Sequence, residues 1–160
     1  MEHIKPFANH WKITPPGLII ESMKRYEEVP HTADLAAKIY GKDLEELFAN
    51  AAYAMFSMIA DVEGVELAET VKIGVEAPDT ESLLVVWLNE LLYAAFSKKM
   101  IFCDFKFNIL EEERLVAEVK GQKIEKNSEK IYKEIKAATY HDLKIKKTGK
   151  GYEVTVVFDV

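Results

Sequence analysis

Tyr26-Glu27-Glu28-Val29-Pro30-His31-Thr32-Ala33-Asp34, running into Leu35-Ala36-Ala37-Lys38-Ile39-Tyr40-Gly41, sets the reading of the fold. Tyr26 to Val29 and Leu35 to Tyr40 read as two short strands about a turn at Pro30-His31. Pro30 limits the first strand because it removes one ladder donor. Gly41 breaks the run. Asp43 then stands three residues before Glu46, a capping-box pattern that opens a helix. Leu44, Leu47, Phe48, Ala51, Ala52, Met55 and Ile59 follow at helical spacing. This helix is expected to end between Ile59 and Asp61, ahead of Gly64.

Outward from that stretch, Val71, Ile73 and Val75 alternate over Thr70 to Glu76, the mark of a half-buried strand. Pro78 and Asp79 start a second helix with the stripe Leu83, Leu84, Trp87, Leu88, Leu91, Leu92, Ala95. Lys98 and Lys99 fall in its last turn, where the helix dipole favours cations. Trp87 and the helix tyrosines read as core packing rather than a ligand box. Further strands are expected at Phe105 to Leu110, Arg114 to Lys120, Glu134 to Thr139, Leu143 to Lys147 and Tyr152 to Phe158. Gly149-Lys150-Gly151 makes the hairpin turn of the final pair. Glu111-Glu112-Glu113 reads as a solvated turn, and Gly121 to Lys130 as a polar, mobile, lysine-rich loop. The expected fold class is α+β: a single compact domain with a mostly antiparallel or mixed β-sheet packed against two main helices.

The chain has 160 residues, 49% hydrophobic and 30% charged, with a formal net charge of -6. That suits one folded domain. It speaks against a broad basic surface for duplex nucleic acid, while leaving a local basic face open. No direct nucleic-acid binding is expected, and a protein partner attracted electrostatically suits the balance better. Cys103 is the one cysteine, so no internal disulfide or paired-cysteine metal site can form. A buried structural thiol in a reducing cytoplasmic setting is expected. No run approaches the roughly 18 apolar residues of a membrane span, and no signal-peptide layout is present. Residues 1–22 lack periodicity, and Met23 follows them at once. Two readings stand open: an extension preceding a start at Met23, or an ordered arm that packs Phe7 and Trp11 on the body.

The chemistry concentrates at the two ends of the body. Phe158-Asp159-Val160 closes an apolar strand with an aspartate beside a free α-carboxylate. Should the fold bring Asp34 beside them, three carboxylates share one spot. They must then be neutralised by protons or by a hard cation. Oxygen-only ligands favour calcium or magnesium over zinc or copper. His31 and Asp34 bracket a turn that can serve metal ligation or proton transfer. The same turn can instead be closed by Thr32 and Asp34 accepting backbone N–H bonds. His141 and Asp142 form a second turn of this kind, with the same two readings. No phosphate loop, nucleophile elbow or zinc-protease motif is present.

His31-Thr32-Ala33-Asp34, Leu44-Glu45-Glu46-Leu47-Phe48-Ala49-Asn50-Ala51-Ala52, Ala54-Met55-Phe56, Ser82-Leu83-Leu84, Leu88-Asn89-Glu90-Leu91-Leu92-Tyr93, Ile135-Lys136-Ala137-Ala138-Thr139-Tyr140 and Phe158-Asp159-Val160 occur in an order that resembles the archease family, small proteins that assist the tRNA-splicing RNA ligase. The resemblance covers nearly all of residues 24–160, so an archease-like domain is expected over 23–160 with 1–22 outside it. It implies an α+β fold with a mixed-topology sheet and a divalent cation, calcium or else magnesium. The implied ligands are Asp34, Asp159 and Val160. His31 and Asp142 become outer candidates around them, and Lys136 a basic residue facing the partner. The implied activity is that of a cytoplasmic protein cofactor rather than an enzyme. Such a cofactor promotes guanylylation of the ligase by GTP, allows repeated turnover and relaxes its nucleotide use. The ligase joins RNA ends bearing a 2′,3′-cyclic phosphate or 3′-phosphate to a 5′-hydroxyl. Two other classes stay open: a chaperone or modulator of an RNA methyltransferase, and a metal-dependent hydrolase.

Overall fold

Local chemistry at Asp43 turns the opening strands into the first helix. In the computed structural model of the protein, residues 11–14, 18–21, 24–125 and 128–160 are described. Strands β1 (Trp11–Thr14) and β2 (Leu18–Glu21) pair antiparallel, Trp11 opposite Glu21. The expected packing of Phe7 and the Trp11 side chain lies outside the described residues. β3 (Tyr26–Val29) and β4 (Leu35–Gly41) pair antiparallel, Val29 opposite Ala36. Helix α1 (Leu44–Ile59) follows, with Asp43 as N-cap accepting from the Glu46 N–H at 2.8 Å. The Glu46 carboxylate reaches back to the Lys42 N–H at 3.0 Å, a capping box displaced by one residue. Leu47, Phe48, Ala51, Ala52 and Met55 are wholly buried. Asn50, a buried polar side chain, donates to the Tyr40 carbonyl at 2.6 Å and ties the helix to the end of β4.

A short 3-10 turn (Val62–Gly64) leads to β5 (Glu69–Glu76), and α2 (Thr80–Lys98) starts from Asp79, whose carboxylate accepts from the Ser82 N–H at 2.7 Å. β6 (Met100–Leu110), β7 (Arg114–Lys123), β8 (Ala137–Ala138), β9 (Lys146–Thr148) and β10 (Gly151–Asp159) complete the chain. The body is α+β, as expected, and every strand pairing is antiparallel among the described residues. The strands of the body form two sheets, however. One runs β3-β4-β10-β8, with β9 also on β10; the other runs β5-β7-β6. α1 packs on both β4 and β6, and α2 on β5, β6 and β8, so the helices fill the space where the apolar faces meet. Trp87 sits there, wholly buried. Its Nε1–H donates to the Phe48 carbonyl at 3.0 Å, and its ring packs on Phe105 and Phe107.

Several boundaries differ from expectation for identifiable reasons. β6 begins at Met100, five residues early. Lys99 takes a left-handed conformation (φ 55°) that ends α2, and the strand starts at once. Met100, Ile101 and Phe102 are all buried, so alternation shows only from Cys103 onward. Gly121 to Lys123 belong to β7 rather than to a loop; a Cβ at Gly121 would lie 1.8 Å from the Ile101 carbonyl oxygen. The expected strand Glu134 to Thr139 shrinks to Ala137–Ala138, because the chain turns at Tyr140 to Leu143 with Asp142 at φ 48°. The next strand begins only at Lys146, since the Ile145 N–H is taken by the Glu81 carboxylate. Cys103 is half-buried rather than buried. Its thiol is pushed up by burial and by Asp104, and it faces the Val65 carbonyl.

One ladder contact has a pH signature. Tyr40 Oη donates to Glu27 Oε1 at 2.7 Å across β3 and β4. Burial first, and this bond second, push the phenol up to about 12 from an ordinary 10.0. A group whose folded pKa is raised contributes stability that is whole below its unfolded pKa and is lost as pH rises through the folded one. Stability should therefore fall between about pH 10 and 12, and Tyr40→Phe should remove that part of the fall. Urea midpoints of both proteins from pH 8 to 12 check this; parallel curves would exclude it.

Candidate functional site

β10 is the strand that assembles the site. It pairs along its whole length with β4, from Tyr152 opposite Gly41 to Phe158 opposite Leu35. The last pair of that ladder is Phe158 with Leu35, so Asp159 and Asp34 are the residues that follow it on the two strands. On its other side β10 is held by β8, with Phe158 opposite Ala138 and Asp159 opposite Ala137. The Lys136 N–H donates to the Asp159 carbonyl at 2.8 Å. The Thr139 N–H and Oγ1–H both donate to the Val157 carbonyl, at 3.0 and 2.8 Å. The last residues are thus ladder-bonded on both edges while Asp159 and Val160 stay exposed.

The turn before Asp34 carries strain. Ala33 adopts φ 67°, a left-handed conformation that costs an L-residue about 1–2 kcal/mol. It aims the chain so that Asp34 Oδ2 lies 3.7 Å from His31 Nδ1. His31 meets the His141 ring edge-to-face, centroids 5.6 Å apart, and His141 Nε2 lies 3.3 Å from Asp142 Oδ2. The two His-Asp turns, which read separately in sequence, therefore abut in space. Asp34, His31, His141 and Asp142 are linked in that order, and Asp159, whose carbonyl accepts from the Lys136 N–H, follows the strand pair next to Asp34. The sequence offers His141 the same two readings as His31, ligation or proton transfer against a locally closed turn, but does not place it among the site residues. The signal that could have found it is the repetition of a His-Asp pair beside the strands that flank β10.

Among the described residues, no three His, Cys, Asp or Glu side chains converge in metal-holding geometry. Side chains alone therefore build no closed cage. Asp34 and Asp159, with the α-carboxylate of Val160, would offer an open oxygen set at most. Such a set fits a hard cation that keeps part of its water.

Fold and corner together define a small α+β protein in which the β3–β4 turn lies beside the end of the last strand. The chain belongs to the archease family: the family model described as "Archease protein family (MTH1598/TM1083)" matches residues 26–160. The protein archease of Methanosarcina barkeri is 40% identical over 141 residues, covering 86% of this chain and 97% of that one. The solution structure of protein 1598 from Methanobacterium thermoautotrophicum superposes with a TM-score of 0.73 at 32% identity, over 86% of this chain and 100% of that one. The crystal structure of a Thermotoga maritima archease, described as a possible chaperone, gives a TM-score of 0.57 at 28% identity, over 84% and 96%. No helix among the described residues is long and apolar enough to cross a membrane.

Proposed function

We propose that this chain is a non-enzymatic protein cofactor of a tRNA-splicing RNA ligase, promoting its guanylylation by GTP and its repeated turnover. Its working corner would be Asp34, Asp159 and the α-carboxylate of Val160, holding calcium or magnesium. The observation that carries the reading is the β4–β10 register, whose last pair, Leu35 opposite Phe158, is followed by Asp34 on one strand and Asp159 on the other. Membership of the archease family supports the partner class. When bound, the cation would neutralise the carboxylates and let them approach without repulsion. His31, and through it His141, would orient Asp34. Lys136, exposed beside the last ladder bond, would offer a cation to the partner at the rim. Residues 123–150 carry nine lysines against four acidic residues in an otherwise acidic chain, so this segment has the opposite sign to the corner. The cofactor can shift the ligase only by binding the guanylylation-competent state more tightly than the resting one. Residues 23–160 would suffice for this, because the family match begins at Tyr26.

The test is formation of guanylylated ligase from GTP with and without this chain, in calcium and in chelator. Stimulation that needs both chain and cation is the expected result; no stimulation in either condition rejects the reading. Adding one glycine after Val160 moves the α-carboxylate off its position and should reduce stimulation severalfold. Full activity of that variant would remove Val160 from the ligand set.

A chaperone role toward an RNA methyltransferase has its own observation. Tyr93 and Phe96, one turn apart on α2, are 67% and 76% exposed. That role predicts suppression of client aggregation lost in Tyr93→Ser/Phe96→Ser and indifferent to Asp34.

A further inference from the structure

We infer that Asn89, on α2, is the positioning residue that holds the acidic strand end in place; the cation arm of the inference rests on the reading just given. β8 is only two residues long and lies at the end of its sheet, so among the described residues no strand pairs with its outer edge. Ala138 is nevertheless 4% exposed. Its outward N–H and C=O would each be a buried orphan, destabilising by about 1–3 kcal/mol apiece. Asn89 satisfies both. Its Oδ1 accepts from the Ala138 N–H at 2.8 Å, and its Nδ2–H donates to the Ala138 carbonyl at 3.1 Å. A planar carboxamide carries one donor side and one acceptor side, so it stands in for one residue of a neighbouring strand. Aspartate can accept but not donate, and would set a carboxylate oxygen against the Ala138 carbonyl. Alanine leaves both groups unpaired.

The consequence reaches the corner through β8. Fixed by Asn89 on one edge, β8 bonds Val157 and Asp159 on the other through the Thr139 and Lys136 amides. β10 thereby keeps its last residues in register opposite the Asp34 turn. Without Asn89, a two-residue strand has little to hold it, and the end of β10 is left with the β4 ladder alone. The frayed end must then be ordered again each time a cation binds, so affinity falls.

Amide exchange and calcium titration on the full chain test this. In wild type, Ala138 should exchange as slowly as the middle of the β4–β10 ladder despite its outer-edge position. Asn89→Ala and Asn89→Asp should speed exchange at Lys136, Ala138 and Thr139 at least tenfold while leaving Ile39 and Val156 unchanged. Calcium affinity should weaken about tenfold. Ile73→Val, in the other sheet, supplies a destabilised control in which neither quantity moves. Unchanged exchange at Lys136 and Thr139, or fast exchange of Ala138 in wild type, overturns the inference. So does wild-type calcium affinity in a variant whose strand end has frayed. If wild type itself binds no calcium, the cation reading falls, and the exchange data alone decide the positioning role.

Discussion

Trp87→Ala should lower the unfolding free energy by about 4 kcal/mol, the middle of the range for emptying a buried aromatic site. Three separate losses add at this residue. The indole is wholly buried, so its removal leaves a cavity that the surrounding elements can close only in part. Its ring contacts Phe107 at 5.2 Å and Phe105 at 6.1 Å between centroids, which are the packing of α2 against β6. Its Nε1–H is the donor to the Phe48 carbonyl, which joins α2 to α1. Domains of this kind hold about 5–15 kcal/mol in all, so the variant would keep a modest margin. At about 2–4 °C per kcal/mol for a chain of this size, its Tm should fall by roughly 8–16 °C. Trp87→Phe keeps most of the ring volume and should lose less than half as much. Urea unfolding of the three proteins checks this; a loss under about 1 kcal/mol for alanine would mean that Trp87 is not the joint between the helices and β6.

What was legible in the sequence follows from the range of each signal. Both helices were, because Asp43 and Asp79 sit at their N-caps and the apolar stripes repeat at 3.6 residues. Alternation in β5 and β7 told which residues face inward, but a period of two does not name the partner strand. That is why two sheets were read as one. The start of β6 was hidden because a fully buried strand has no alternation to show. β8 was overextended because its limits are set from outside, by Asn89 on α2 and by the turn at Asp142, neither of which leaves a mark on residues 134–139. At the corner, the residue types of Asp34 and Asp159 were informative alone, but their nearness was not. It depends on a register that closes over more than a hundred residues, and only the ordered family motifs pointed to it beforehand. The approach of His31 to His141 was marked only by the repeated His-Asp pair, which carries no information on distance.

Asp34→Ala should abolish the stabilisation by calcium, and this loss separates a cation site from an ordinary surface aspartate. Without cation, Asp34 and Asp159, next to the last pair of the β4–β10 ladder, should repel as like charges by a few tenths to about 1 kcal/mol. Among the described residues the ion-pair partner of Asp34 is His31 at 3.7 Å, and a part-exposed pair of that kind contributes little. In chelator, then, the variant should be as stable as wild type or slightly more so. With calcium at a hundred times its dissociation constant, the wild type gains about 2.7 kcal/mol from binding to the folded state alone. The variant, left with Asp159 and the terminal carboxylate, should gain almost none of it. Stimulation of ligase guanylylation should vanish together with that gain, while the circular dichroism of the two proteins stays the same. Thermal unfolding in chelator and in calcium, read beside the guanylylation assay, gives four numbers whose signs are fixed in advance. A variant that is less stable than wild type in chelator and equally stabilised by calcium would place the cation elsewhere and make Asp34 a structural residue of its turn.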